Sequence, residues 1–376
     1  MARKRKARTR VLVMVIIIIV FIIGSAKGIT MIKNLMGRGE MEFSKLGVIQ
    51  YDRSENTDIQ AYGNNVAVYS DGTLTVYNDQ GTALWEIKQP IERPKLVSSE
   101  QLLFLGDKEK GNIFCFDTLG NPIWTVESGQ KIEDMVSNQG FVVMWSKGEE
   151  QGSTIFIYDV SGKQKGTIKL GKGDIIDGAI SKDGSVVALS VLDIENDKIE
   201  TNVILYGADG KLLGGNKYDN QVIPKLFFHE DNRLFNVGDH KLIGFDKSKG
   251  LLWSKEMDAS LNRVSWNEEG FVVLSLVNNK NMIMDTKNRN YLMMMNMDGQ
   301  EIGRVPMKAE VLGVDTKGKN ITAYTKRTLY FFTKTGKELG EKKVNSDIHG
   351  VHMLTEDRMV LVLNNKLEIT KVKYKN

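Results

Sequence analysis

The sequence is poor in cysteine and proline. Cys115 is its only cysteine, and five prolines are spread over 376 residues. A single thiol excludes an internal disulfide, a multi-cysteine zinc site and an iron–sulfur cluster. With so few prolines, the 36 glycines point to tight turns and not to a collagenous or proline-rich chain. A surplus of positive charge is missing from most of the chain as well. Arg3, Lys4, Arg5, Lys6, Arg8 and Arg10 supply six basic groups in the first ten residues, and residues 11–376 carry 45 basic and 47 acidic side chains. A near-neutral body lacks the electrostatic footprint of a nucleic-acid binder. Neither a Gly-rich phosphate loop nor a Gly-x-Ser-x-Gly nucleophile elbow is present. The composition, 41% hydrophobic and 26% charged, is that of a folded chain, neither disordered nor wholly embedded in lipid.

Long apolar runs are equally scarce, and the one that exists is terminal. Val11 to Ile23 is unbroken, and Gly24, Ser25 and Ala26 extend it to Lys27 without a charge. As a helix, residues 11–26 would span roughly 24 Å, against a hydrocarbon core of about 30 Å. Arg10 and Lys27 can snorkel to make up the difference. Residues 1–10 are therefore expected as a basic cytoplasmic tail, 11–26 as a single-pass signal anchor and 27–45 as a juxtamembrane linker. The body is expected outside the cytoplasmic membrane. The alternative is a secretory signal cleaved near Ala26, which exports the same body.

The rest of the chain is a repeat. A strand, a turn closing on glycine and a further strand recur, as in Thr73–Tyr77 before Gly81, Asn112–Phe116 before Gly120 and Thr154–Tyr158 before Gly162. The turn glycines are Gly81, Gly120, Gly162, Gly210, Gly250, Gly299 and Gly336, spaced 37 to 49 residues apart. Asp or Asn opening such a turn bonds to amides ahead, and glycine at its end accepts a positive φ. The spacing is that of a four-stranded propeller blade. An eighth copy, Lys366–Thr370, has no glycine turn after it, and Leu46–Tyr51 forms an orphan strand ahead of the first copy. These observations predict an all-β, single eight-bladed β-propeller over residues 46–376, closed by strand 46–51 in the last blade. A seven-bladed ring with a stray hairpin is the alternative. Ring closure removes the edges that an open array would expose.

Trp85 and Trp124 follow their turn glycines by four residues, and Trp253 follows Gly250 by three; Gly166, Gly214, Gly303 and Gly340 take the equivalent place elsewhere. The series ending Gly-Thr-Ala-Leu-Trp85, Gly-Asn-Pro-Ile-Trp124 and Gly-Leu-Leu-Trp253 resembles the pyrroloquinoline-quinone (PQQ) type propeller repeat, in which the tryptophan packs between adjacent blades. With its basic tail, single span and divergent blades, the whole chain resembles membrane-anchored propeller proteins of Gram-positive bacteria. The resemblance implies inter-blade packing for Trp85, Trp124 and Trp253. PQQ dehydrogenases also carry a disulfide of adjacent cysteines beside the cofactor. One cysteine cannot supply it, so no cofactor is expected.

Other candidates for chemistry are weak. His349 and His352 are three apart, which on a strand puts them on opposite faces. Met293, Met294, Met295 and Met297 suggest soft-metal ligands, but alternate strand faces favour core filling. Asp193, Glu195, Asn196, Asp197 and Glu200 read as a solvated acidic loop. Neither a metal site nor a catalytic residue is assigned. The expected function is a non-enzymatic, membrane-anchored scaffold that binds a protein or an envelope polymer and no nucleic acid. The alternative is a glycan-directed envelope enzyme with its site at the channel mouth.

Overall fold

The computed structural model describes residues 41–51, 53–99, 101–148, 152–278 and 289–374. The basic tail, the expected span at 11–26 and residues 27–40 lie outside the described residues. No helix among the described residues is long and apolar enough to cross a membrane.

Among the described residues, thirty-two strands form eight four-stranded antiparallel sheets, the blades of one propeller. Seven blades are built from consecutive strands. The eighth takes three strands from the carboxyl end of the chain and its outer strand, Met41–Gln50, from the amino end. That strand pairs antiparallel with Lys366–Tyr374, from Met41 opposite Tyr374 to Gln50 opposite Lys366. It starts earlier than the orphan strand read from the sequence, so Met41–Lys45 are strand and not linker. The physical reason is packing. Met41 and Phe43 point into the apolar layer between blades 7 and 8, with Phe43 centred 5.5 Å from Phe331. Tyr51 lies just past the strand and donates its hydroxyl to Leu363 O at 2.9 Å.

The second and third strands of each blade are buried on both faces, which explains their unbroken apolar runs. Val66–Tyr69, Leu103–Leu105, Val142–Met144 and Val272–Leu274 are all nearly inaccessible to solvent. The methionine run obeys the alternation of a strand. Met293 and Met295 pack with Phe235 and Leu242 of blade 5, while Met294 packs with Ile321 and Phe332 of blade 7.

The seven turn glycines have φ between +76° and +83°. The opening residue caps the turn: Asp117 Oδ1 accepts from Leu119 N and Asn121 N, both at 2.8 Å, and Asp159 Oδ1 accepts from Ser161 N at 2.9 Å. Past each turn, the outer strand carries a bulge one residue ahead of the Trp or Gly position. In blade 1, Ala83 pairs with Tyr77 and Trp85 with Val76, leaving Leu84 unpaired. Ile123, Lys165, Leu213, Leu252, Ile302, Leu339 and Leu46 are the equivalent residues of the other blades. An extra residue in one strand sharpens its twist, as the outer edge of a blade requires.

The acidic stretch at 193–200 is not a loop. Val186–Glu195 and Lys198–Gly207 form a long hairpin, paired out to Glu195 opposite Lys198. Lys172, in the connection before Asp174–Ile180, bonds Asp193 at 2.5 Å, and Lys217 on the neighbouring strand pairs with Glu200, so lysines neutralise the acids and let the strands continue.

Candidate functional site: a cleft in the central channel

The eight inner strands line the axis of the ring. They are Asp58–Tyr62, Pro94–Ser99, Asp134–Asn138, Asp174–Ile180, Lys225–Phe228, Ser260–Asn267, Gly313–Lys317 and Gly350–Met353. They are short and of mixed polarity because one end of each meets water.

Three of them carry an aspartate that holds the next blade, Asp177 buried and Asp58 and Asp315 half-buried. Asp58 Oδ2 accepts from Leu96 N at 2.6 Å, Asp177 Oδ2 from Leu226 N at 2.7 Å, and Asp315 Oδ2 from Met353 N at 2.7 Å. Burial raises all three carboxyls above the usual range, Asp315 to about 6, against the amide bonds that pull the other way. Lys225 also approaches Asp177 at 2.6 Å, and its charge opposes the rise. His352 faces Asp58 across the seam between blades 8 and 1. Desolvation lowers its pKa and the carboxylate only partly restores it.

Between blades 3 and 6 the channel widens into a cleft of about 440 Å³. The inner strands of blades 5 and 6 approach each other least, and aromatic rings fill the gap. Phe227 stacks on Trp266 with centroids 5.5 Å apart and planes 14° from parallel; His229 meets the same indole edge-on at 6.2 Å. Phe228, Asn138 and Ile180 complete the wall, with Lys182, Glu230 and Glu268 exposed at the rim. His229 Nδ1 lies 2.9 Å from Asp231 Oδ1, which orients the ring. The arrangement offers flat apolar surface ringed by charges of both signs, suited to binding an extended chain. Asp177 alone of the three raised carboxyls lines the cleft, and Lys225 and Leu226 occupy it.

The residues singled out from the sequence sit elsewhere, at the rim. Trp85 Nε1 donates to Thr118 O at 3.0 Å, Trp124 Nε1 to Val160 O at 3.0 Å and Trp253 Nε1 to Met297 O at 2.8 Å, each acceptor in the next blade. Each indole covers a turn glycine of that blade: Gly120, Gly162 and Gly299. Where glycine replaces tryptophan, backbone takes its place. A Cβ on Gly166 would meet Gly210 N at 2.7 Å, and one on Gly303 would meet Gly336 N at 2.9 Å. Gly47 repeats this against Gln80 and Gly81 across the closing seam. Gly214 and Gly340 belong to the same position in their outer strands, and Gly250 has open space beside it. Cys115 is buried in blade 2, its thiol pushed up to about 12 by desolvation. His349 and His352 do not converge. Among the described residues no three His, Cys, Asp or Glu side chains are grouped to hold a metal ion. Trp266 and the inner-strand aspartates escaped the sequence reading, although Asp recurs in the inner strands of four blades, as Asp58, Asp134, Asp177 and Asp315.

In fold the chain is similar to BamB from Moraxella catarrhalis, at TM-score 0.59 and 11% identity, covering 88% of this chain and 100% of that one. It is also similar to Sqt1 of Saccharomyces cerevisiae, at TM-score 0.61 and 11% identity over 87% of this chain and 98% of that one. The C-terminal WD40 domain of Sif2 gives TM-score 0.62 and 9% identity over 88% and 98% of the two chains. At such identities the likeness is one of fold. No curated protein matches by sequence. Residues 41–372, the whole ring, match the family of unknown function DUF5711, and the chain belongs to that family.

Proposed function

We propose that this protein is a non-enzymatic docking scaffold, anchored by residues 11–26 and displayed outside the cytoplasmic membrane, whose channel cleft takes a protein partner or an envelope polymer. One observation carries the reading. Asp58, Asp177 and Asp315 of the inner strands are engaged in holding blades together, while Phe227, Phe228 and Trp266 present partly exposed aromatic surface to the cleft. Aromatic surface of this kind supplies binding area at low entropic cost. An enzyme of the glycan-directed type needs two carboxyl groups facing one space. Asp58 and Asp315 lie outside the cleft, and the carboxyls that share it, Asp177, Glu230 and Glu268, are each paired with a lysine: Lys225, Lys182 and Lys317. The six basic residues of the tail and the likeness to other propellers support the anchored, scaffold reading.

The test is photo-crosslinking in the producing cell from Phe228 and from Glu268, with Leu339 on the outer strand of blade 7 as control. A discrete adduct from both cleft positions and none from Leu339 is expected. No adduct from the cleft, together with turnover of an envelope glycan that Asp177→Asn abolishes, would reverse the reading in favour of an enzyme.

A further inference from the structure

The two faces of the ring differ. Strand direction alternates within a blade, so the glycine turns and the ends of the inner strands share one face, here the turn face. The hairpins joining second to third strands lie on the other. Large apolar side chains are exposed along the turn face on five successive blades: Leu84, Leu119, Ile123, Val160, Leu213 and Leu252. Their exposure runs from 37% for Leu252 to 75% for Leu119. Leu119 and Val160 are turn tips; the other four are bulged residues. The bulge itself does not require an apolar side chain, since Lys165 fills the same position in blade 3. Exposed lysines Lys163, Lys165, Lys247 and Lys249 stand among them.

The position of the first and last strands of the ring indicates what covers this arc. Outer strands begin at the turn face, so Met41, which starts the outer strand of blade 8, emerges there, and its partner Tyr374 ends there. The apolar segment 11–26 precedes Met41 by only 14 residues, a tether of at most about 50 Å. We propose that the turn face of blades 1–5 rests on the surface of the bilayer, with the six apolar side chains entering the headgroup region and the lysines meeting anionic headgroups. Apolar side chains flanked by lysine are the pattern of interfacial membrane contact. The proposal rests on the anchored reading above. It also turns the mouth of the cleft, at the ends of the inner strands, toward the membrane, so that a docked partner comes from a membrane-borne molecule.

The test uses the full chain reconstituted in vesicles of phosphatidylcholine and phosphatidylglycerol. An environment-sensitive dye is placed on Leu84→Cys, Leu213→Cys or Leu252→Cys, with Ile194→Cys on the opposite face as control. Native Cys115 is buried and stays in place. Flotation reads the anchor, and quenching by doxyl lipid reads the face. Flotation with several-fold stronger quenching at 84, 213 and 252 than at 194 is expected, falling when the phosphatidylglycerol is left out. Equal quenching at all four sites in protein that floats overturns the face assignment and leaves the anchor standing. Energy transfer between labelled copies without lipid quenching overturns it in favour of a second copy of this chain. Loss of flotation removes the anchored reading and this proposal together. The triple variant Leu84→Glu, Leu213→Glu, Leu252→Glu should still float and melt normally, while a dye on Ile123→Cys loses its quenching; retained quenching there overturns the role of the arc.

Discussion

Trp124 lies flat over Gly162 of the following blade, close enough that a Cβ on the glycine would sit 2.7 Å from indole Cγ and Cδ2, and it donates Nε1–H to Val160 O in the same turn. The pair joins blade 2 to blade 3. Gly162→Ala forces the rigid ring aside and places a side chain at φ +77°, which should cost about 2–4 kcal/mol. Trp124→Ala should cost a similar amount, less than a fully buried indole because the ring is half exposed. The two losses should not add. In a denaturant series the double variant is expected to be more stable than the sum predicts by about 1 kcal/mol or more. Additive losses would show that ring and glycine act independently.

Asp315 links stability to pH. Burial holds its folded pKa at about 6 against 3.8 for the free side chain. The native state therefore keeps a proton that the unfolded chain has released. Its contribution is fully present below pH 3.8 and is lost as the pH rises through about 6. Asp315→Asn cannot titrate. Wild type measured against that variant should lose relative stability between pH 4 and pH 7, and a flat difference across the range would rule out the raised carboxyl.

Closure of the ring depends on a strand far away in sequence. Deleting Met41–Gln50 uncovers the edge of Lys366–Tyr374 and the apolar contacts of Ile49 and Phe43. The shortened chain should melt at a markedly lower temperature and self-associate through the open edge. A peptide of the deleted sequence added in trans should reverse both, as read by a melt and by gel filtration. A deletion that melts like the full ring would mean that the eighth blade stands on three strands.

Cys115 should be inert in the native protein. It has no exposed surface, and desolvation disfavours its thiolate. An aromatic disulfide reagent should titrate no thiol at neutral pH in the folded protein and one in denaturant. A fast native reaction would mean that the space around Phe104 and Trp124 opens readily.

The fold was legible because its punctuation is chemical. Asp117 with Gly120 and Asp159 with Gly162 make turns whose sequence and geometry are the same statement, and a blade interior such as Phe141–Met144 can only be an apolar run. The same rule located the orphan strand but misjudged its start, because the alternation of Met41, Glu42, Phe43 and Ser44 is short, sits ahead of the clearer apolar run, and has its burial supplied by blade 7. The hairpin at Glu195 and Lys198 was hidden for a related reason: Lys172 from the preceding connection and Lys217 from the neighbouring strand neutralise its acids. The cleft was the least legible part. Phe227 and Trp266 come from inner strands of different blades, and nothing local marks the place where those strands part. The bulged residue ahead of each tryptophan or glycine is Leu or Ile in every blade but the third, where it is Lys165, and the sequence reading passed over it. Its exposure was not legible either, since that depends on which side of the outer strand the neighbouring blade covers.

The first strand of this ring is also the first to leave the ribosome, and its hydrogen-bonding partner is the last. Met41 meets Tyr374, so all eight blades must be synthesised and, for an exported body, carried across the membrane before the circle can be sealed. Throughout that interval both free margins are available to any strand nearby, including the matching margin of a second nascent chain. Crowding of unfinished copies should therefore give exchanged, interlocked rings in place of single ones.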